Sequence, residues 1–325
     1  MNNLSPDDPA LPAPLSDAVS EFEAWMQGEL LADQNRSTPT SPLYHYTGEA
    51  SLRGILEHRK LWCFSHSQQS DDTEVRYSFE IAQRVIREEA ARGHPAVKSI
   101  LMGLDGILTS NPMGKTFDFY FFSLSSHRDH AKQWEGYGDK GRGFAIGFTP
   151  TLFQPDRTEL APLANENVFV SRVIYGNAAT MARHRRGIRK LAEIIRRVQR
   201  TFPHLVRGKN LQTWFDEMNK AFIAELLIWN CLTAKSAGFR DEQETRYIIM
   251  GVCAAFDDCR KQHGRRDYVE TPLPLTEPAN ITEILIGPDA PHGAESMVRD
   301  LLQRLGYPAG IPVLRSPVSS GRPSA

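Results

Sequence analysis

The sequence predicts an α+β fold, on three observations. Strand-like runs lie near both ends of the chain, as "LYHYT" and "ITEILIGP". A second group of strand-like runs, "FDFYFFSLSS", "GFAIGF" and "NVFVSRVIYG", fills the middle. Between them and the late run "TRYIIMG" stands a stretch at about 180–237 with helical spacing. Strands at both ends with helices inserted between them point to one α+β domain, not two in tandem. The expected organisation is a tail and helix over 1–41, a single domain over 42–316 with its helical insertion at about 180–237, and a disordered Pro/Ser/Gly-rich tail over 317–325.

Taken in order, "LSDAVSEFEAWMQGELLAD" reads as an amphipathic helix with Val19, Phe22, Trp25 or Met26, and Leu30 on its apolar stripe and Ser16 as its cap. A Pro-bounded strand at 43–46 follows, then a turn at Thr47 and Gly48, a helix through Leu52, Ile55 and Leu56, and a strand around 61–64. "DDTEVRYSFEIAQRVIREEAARG" opens a helix that Asp71 or Asp72 can cap, with Glu74 in its first turn. "GDKGRG" resembles a phosphate loop, yet it precedes a strand and lacks the GK[ST] ending, so it reads as a turn. The last two strands, "ITEILIGP" and "IPVLRS", flank a helix at 294–305.

The bulk properties exclude several functions. The 325 residues carry a net charge of −1 and a pI near 6.8, which argues against a globally basic nucleic-acid binder or a membrane-surface protein. No apolar stretch approaches the roughly 20 residues needed to span a bilayer, and the acidic, Pro-rich start has no signal-peptide core, so a cytoplasmic protein is expected. Cys63, Cys231, Cys253 and Cys259 form no CxxC or Cys/His spacing, which predicts reduced thiols, three of them in the core, and no metal.

Four groups of residues could carry chemistry. In "RDEQETRYIIMG" a strand would point Glu242, Glu244 and Arg246 to one face. Two carboxylates so placed are either offset by a cation, here Arg246, or used for catalysis. In "LYHYT", His45 and Thr47 share one face and Tyr44 and Tyr46 the other; a satisfied core histidine is the plain alternative. Ser123 and Ser125 project from one face of their strand, while Trp134 and Tyr137 fall three apart in a helical turn, a slot for a flat ring or else an aromatic core seam. Finally, "RHRRGIRKLAEIIRRVQR" holds eight Lys/Arg residues and one acid. Its buried stripe would be Ile188, Leu191, Ile195 and Val198, with Arg185, Arg186, Arg189, Arg196 and Arg197 around it, either a solvated face or a seat for a polyanion.

Taken together, "LYHYT", "GILE", "KLW", "FSLS", "W..YGD", "GFAIGF", "GFRDEQETRY" and "ITEILIGP" resemble, over about 42–316, a bacterial family catalogued only as a domain of unknown function. That family is in turn similar to the ADP-ribosyltransferase superfamily. The resemblance implies a split β-sheet core and NAD as co-substrate, with no metal. It implies that His45, with Tyr46 and Thr47, holds a ribose of NAD, that Ser123 and Ser125 form the Ser-x-Ser strand motif, and that Tyr137 and Trp134 stack on nicotinamide. Glu244 would be the catalytic acid and Glu242 the first member of a Glu-x-Glu pair.

The expected function is therefore an NAD-dependent ADP-ribosyltransferase that modifies a macromolecule, as a toxin or anti-phage defence effector. Arg185, Arg186 and Arg189 favour nucleic acid over protein as the acceptor. An immunity or regulatory protein would be a further partner, and no membrane is involved. The rivals are an NAD hydrolase in which Glu242 activates water, a non-catalytic nucleic-acid-binding or sensor module on the same fold, and a metal-dependent nuclease using Asp71, Asp72 and Glu74 beside Glu242 and Glu244.

Overall fold

The structure is a computed structural model that describes residues 11–65, 73–93, 95–109, 117–153, 166–222, 226–277 and 279–318. In chain order they form α1 (Ala13–Ser37), β1 (Leu43–Thr47), α2 (Glu49–His58), β2 (Lys60–Ser65), α3 (Thr73–Arg92), α4 (Pro95–Thr109) and β3 (Phe117–Ser125). Next come α5 (Ala131–Gly136), β4 (Phe144–Phe148), β5 (Glu166–Arg172), β6 (Ile174–Tyr175), α6 (Asn177–Thr201), α7 (Gly208–Phe222) and α8 (Ile228–Leu232). The chain closes with β7 (Ala234–Lys235), β8 (Glu244–Val252), β9 (Lys261–His263), β10 (Arg266–Pro272), β11 (Ile281–Ile286), α9 (Ala294–Arg304) and β12 (Val313–Arg315). The mixed α+β class is as expected. Asp71 and Asp72 lie outside the described residues. Among those described, no helix is long and apolar enough to cross a membrane.

The chain divides into two compact units. One takes Met1–Asp33, Thr73–Pro112 and Ile174–Ala237, so the helices expected at about 180–237 share a core with α1, α3 and α4. Helical spacing explains that core: Ile188, Leu191, Ile195 and Val198 of α6 are buried together with Val85 and Ile86 of α3, Leu101 and Leu104 of α4, and Trp214, Met218 and Phe222 of α7. α1 begins at Ala13, earlier than Ser16 as a cap would allow. Its buried positions are Leu15, Ala18, Phe22 and Met26, and Val19 and Leu30 are only partly covered, because Leu15 starts the stripe one turn sooner. Gly187 permits the closest approach, since a Cβ there would stand 2.4 Å from Leu226 Cδ2.

The second unit takes Gln34–Asp72, Met113–Val173 and Gly238–Ala325 and contains the main sheet. Its strands run β12-β11-β4-β1-β3-β2-β10-β9, with β8 on the other edge of β3 and β5 beyond β8. All pairs are antiparallel except β11 with β12. One face carries Phe122 and Leu124 of β3, Ile146 of β4, Tyr247 and Ile249 of β8 and Val269 of β10, packed with α2 and α9 into the core.

β3 is a fork. On one edge β8 follows it from Phe117 to Ser125. On the other edge β1 pairs only at Ser125, opposite Tyr44, and β2 pairs at Tyr120 and Phe121. Between these contacts Phe122, Ser123 and Leu124 have no described strand beside them on that edge.

The thiols divide two and two: Cys63 and Cys231 are buried, Cys253 is partly covered and Cys259 is exposed. Burial pushes the Cys63 and Cys231 thiols up to about 12. Cys259 misses the core because it follows the short helical turn Cys253–Phe256 that ends β8.

His184 on α6 is wholly buried, with its Nε2 3.0 Å from Ser78 Oγ of α3. Burial, assisted by the Arg183 charge, lowers it to about 3. It is therefore neutral in the fold but protonates near pH 6.5 once unfolded, so protons favour the unfolded chain below pH 6.5. Between pH 6.5 and about 3, this residue alone should lower stability by about 1.4 kcal/mol per pH unit. Urea unfolding across that range should show a shallower acid loss for His184→Gln than for the natural chain; equal slopes would remove His184 as the cause.

Candidate functional site

Ser123 occupies the fork and makes two bonds in two directions. Its carbonyl lies 3.0 Å from His45 Nδ1, and its Oγ donates to Glu244 Oε1 at 2.6 Å. If β1 continued its pairing past Tyr44, Tyr46 would face Ser123; β1 instead splays away, and the His45 side chain takes the carbonyl. A carbonyl only accepts, so Nδ1 carries the proton and Nε2 of the neutral ring is left as an acceptor. Burial depresses His45 to about 4, which keeps that tautomer at neutral pH. The ring packs on Phe122, centroids 4.1 Å apart. By register His45 faces the core side with Ile146, while Glu244 faces the opposite side with Ser125. The two residues thus lie on opposite faces and are linked through Ser123.

Glu244 is 5% exposed and Arg246 1%. The guanidinium clasps the carboxylate, Nε to Oε1 at 2.8 Å and Nη2 to Oε2 at 3.1 Å, and lies 4.7 Å from the centroid of the Phe121 ring. The neutralising cation foreseen in "ETR" is therefore present, and the pair is charge-assisted and desolvated.

Glu242 does not share the Glu244 face as strand alternation predicts. β8 begins only at Glu244; Glu242 ends a 3₁₀ turn at Ala237–Glu242, and Gln243 has a left-handed φ of 41° that redirects the chain between the two acids. Glu242 is partly exposed and accepts from Tyr137 Oη at 2.5 Å. Its carbonyl accepts from Ser125 Oγ at 2.7 Å and Gln133 Nε2 at 3.2 Å.

The aromatic pair also separates. α5 stops at Gly136, so Trp134 turns inward at 2% exposure and Tyr137, just past the helix, is 51% exposed. The Trp134 ring stands edge-on to Tyr46 at 4.8 Å, and its indole N–H donates to Asp129 at 2.6 Å. Trp134 is a core seam, unavailable for stacking. Tyr46 is buried and donates to the His127 carbonyl at 3.0 Å; Thr47 and Ser125 are buried too. Of the residues expected to meet NAD, Ser123 and Tyr137 are exposed and His45 partly so, whereas Tyr46, Thr47, Ser125 and Trp134 are buried. "GDKGRG" is a turn as expected, with positive φ at Asp139, Lys140 and Gly141.

The loop between β3 and α5 was not legible as part of this site, yet it is tied down firmly. Arg128 grips Glu283 of β11 at 2.7 and 2.6 Å, and Tyr44 Oη donates to the same carboxylate at 2.8 Å. Desolvation and the Glu283 carboxylate push Tyr44 up to about 12. The bidentate Arg signature is geometric, so the sequence offers no cue to it.

The basic helix lies in the other unit, and its cations meet acids there. Arg185 reaches Glu88 at 2.6 Å, Arg186 reaches Glu29 at 2.5 Å, and Arg189 reaches Glu89 at 3.1 Å. Arg183 and Arg197 pair with Asp33 and Glu21 of α1. A cleft of about 600 Å³ on this surface is lined by Trp25, Glu29, Arg185, Arg186, Arg189 and Lys190. The polyanion expected from the charge run has an intramolecular counterpart in α1 and α3. Among the described residues no group of three or more His, Cys, Asp or Glu is placed to hold a metal ion.

Residues 133–247 match the family described as Protein of unknown function (DUF2971). The match covers roughly a third of the 325 residues, including Tyr137, Glu242, Glu244 and Arg246, and stops short of His45 and Ser123. No curated protein and no solved structure matches the chain.

Removing one member of a buried ion pair strands the other charge. Arg246→Met should cost about 3–5 kcal/mol in urea unfolding. The double variant Glu244→Gln/Arg246→Met should recover much of that loss. A single-variant cost of about 1 kcal/mol or less would place the pair with solvent-screened surface bridges.

Proposed function

We propose that the fork at Ser123 is the active site of an NAD-dependent ADP-ribosyltransferase that modifies a macromolecule. The observation that carries the reading is the double engagement of Ser123, which joins His45 through its carbonyl and Glu244 through its hydroxyl. A histidine on the first strand, a Ser-x-Ser strand motif and a late-strand glutamate are what the resemblance to ADP-ribosyltransferases implies.

Each residue has a task its geometry supports. Arg246 holds Glu244 as a carboxylate, and Ser123 Oγ can exchange its bond for one to a ribose hydroxyl. The bond between ribose C1′ and the nicotinamide nitrogen breaks with its electron pair going to nicotinamide, and the Glu244 charge stabilises the oxocarbenium-like centre. A lone pair of the acceptor then bonds C1′. Its proton passes to Glu242, whose carboxylate is partly exposed, and from there to solvent. His45 holds the Ser123 carbonyl from the core side and so positions Ser123, and Tyr137 offers its exposed ring face to nicotinamide.

One observation favours a second reading. Both oxygens of Glu244 are already engaged within the sheet, as they would be in a non-catalytic module that uses the acid to hold strands together.

The test is nicotinamide release and transfer of adenylate label in a host lysate. Glu244→Gln should lower nicotinamide release by about a hundredfold or more. Glu242→Gln should lose label on macromolecules while keeping more of the nicotinamide release. Release without any labelled macromolecule would assign an NAD hydrolase. No release from the natural chain would leave the structural reading.

A further inference from the structure

The face of the sheet that holds Glu244 and Arg246 continues away from them as a line of rings. Arg246 lies over Phe121; Phe121 is register-paired with Phe64 of β2; and Phe64 stands 5.9 Å from Tyr268 of β10. Tyr268 in turn stacks on Trp62 at 4.3 Å and 23°, and Trp62 lies 5.3 Å from His263 of β9. Strand pairing places all of them on one face: Phe64 opposite Tyr268, Trp62 opposite Glu270, and His263 opposite Arg266. The rings are buried at Phe121 and Tyr268, partly open at Phe64 and Trp62, and exposed at His263.

Cations are interleaved with these rings. Lys60 and Lys261 share the Glu270 carboxylate at 2.7 and 2.9 Å, and Arg266 lies 5.9 Å from the centroid of the Phe64 ring. Arg265 stands exposed in the turn beside Gly264, whose φ of 62° closes the two-residue loop between β9 and β10. Among the described residues of that face Lys60, Lys261 and Arg266, with Arg265 at its tip, outnumber the acid Glu270. Lysines on an edge strand can serve only to block edge pairing. That role does not require a partly open Trp62 or an Arg above Phe64.

We infer that the outer face of β2, β10 and β9 holds single-stranded nucleic acid and presents it as the acceptor to the Ser123 and Glu244 site, an inference that rests on the reading of that site as a transferase. Bases stack on Trp62 and His263, and phosphates meet Lys261, Arg265 and Arg266. A duplex hides the base faces that such rings contact, and an acidic peptide would use the cations and leave the rings idle. The platform and Ser123 lie on one face of one sheet, with the buried side chains of Phe121 and Arg246 between them, so a strand held at the hairpin reaches Ser123 by passing over these covered groups.

The experiment is fluorescence anisotropy of the full chain with a labelled oligouridylate about twenty nucleotides long. It is run without NAD over a range of salt, with duplex DNA and polyglutamate as competitors. The natural chain should bind the oligonucleotide, quench its own tryptophan emission on doing so, and resist both competitors. Lys261→Gln/Arg266→Gln changes only exposed side chains; it should weaken binding about tenfold or more and reduce the salt slope by about 1.4. His263→Ala should weaken binding with the slope unchanged. Absent binding, binding insensitive to these variants, or preference for polyglutamate would each overturn the inference. Binding by the natural chain, together with no nicotinamide release from it, would sink the transferase reading and leave the platform standing.

Discussion

A carboxylate buried to 5% exposure cannot stay charged without a partner, and the Glu244–Arg246 pair meets that demand inside the central sheet. The pair also fixes register. Ser125 faces Glu244 and Ser123 faces Arg246 across β3 and β8, and the intervening residues Leu124 and Thr245 face the other way. A slip of one residue in β8 would turn both charges into the core beside Phe122 and move Tyr247 and Ile249 out of it. The register in turn sets where Ser123 stands, and with it every contact of the fork.

At the fork a side chain substitutes for a strand. β1 leaves β3 after Tyr44, and the Ser123 carbonyl that would have faced backbone receives His45 Nδ1. That bond works only for a neutral imidazole of one tautomer if Nε2 is to accept, and burial supplies the neutrality. The Arg128–Glu283–Tyr44 cluster anchors the loop just past β3 to β11, so the sheet can open at Ser123 without releasing the chain on either side.

Much of this was legible in the sequence because it follows period. The strands around Phe119, Ile146, Ile248 and Ile284, and the α6 stripe, are apolar patterns that geometry turns directly into faces. Failures came where one residue breaks the period. Gln243 at φ 41° separates Glu242 from Glu244, and the end of α5 at Gly136 separates Trp134 from Tyr137, although i, i+3 spacing puts them together on an uninterrupted helix. α4 was passed over because its run follows Gly93 so closely. The β9–β10 hairpin carried a readable signal, Gly264 between two alternating runs, masked by the charge of "RKQHGRRD". Period and spacing could not show the contacts of Ser123, which join residues 45, 123 and 244; only the resemblance named all three.

Charge counting misleads in a chain whose net charge is −1, because the sum is silent about neighbours. The densest basic run, on α6, sits beside Glu21, Glu29, Asp33, Glu88 and Glu89, and an incoming phosphate must displace a carboxylate from Arg183, Arg185, Arg186, Arg189 or Arg197. The hairpin holds fewer cations, but two lysines share one glutamate and Arg266 rests over a ring. Releasing a phosphate's counterions is favourable only when the protein cation is not already neutralised, so the smaller cluster exerts the larger pull. The hairpin cations also stand among rings that a base can cover, while the cleft beside the arginines of α6 is lined by one ring, Trp25. Position relative to acids and rings, not the length of the basic run, decides which surface a polyanion would choose.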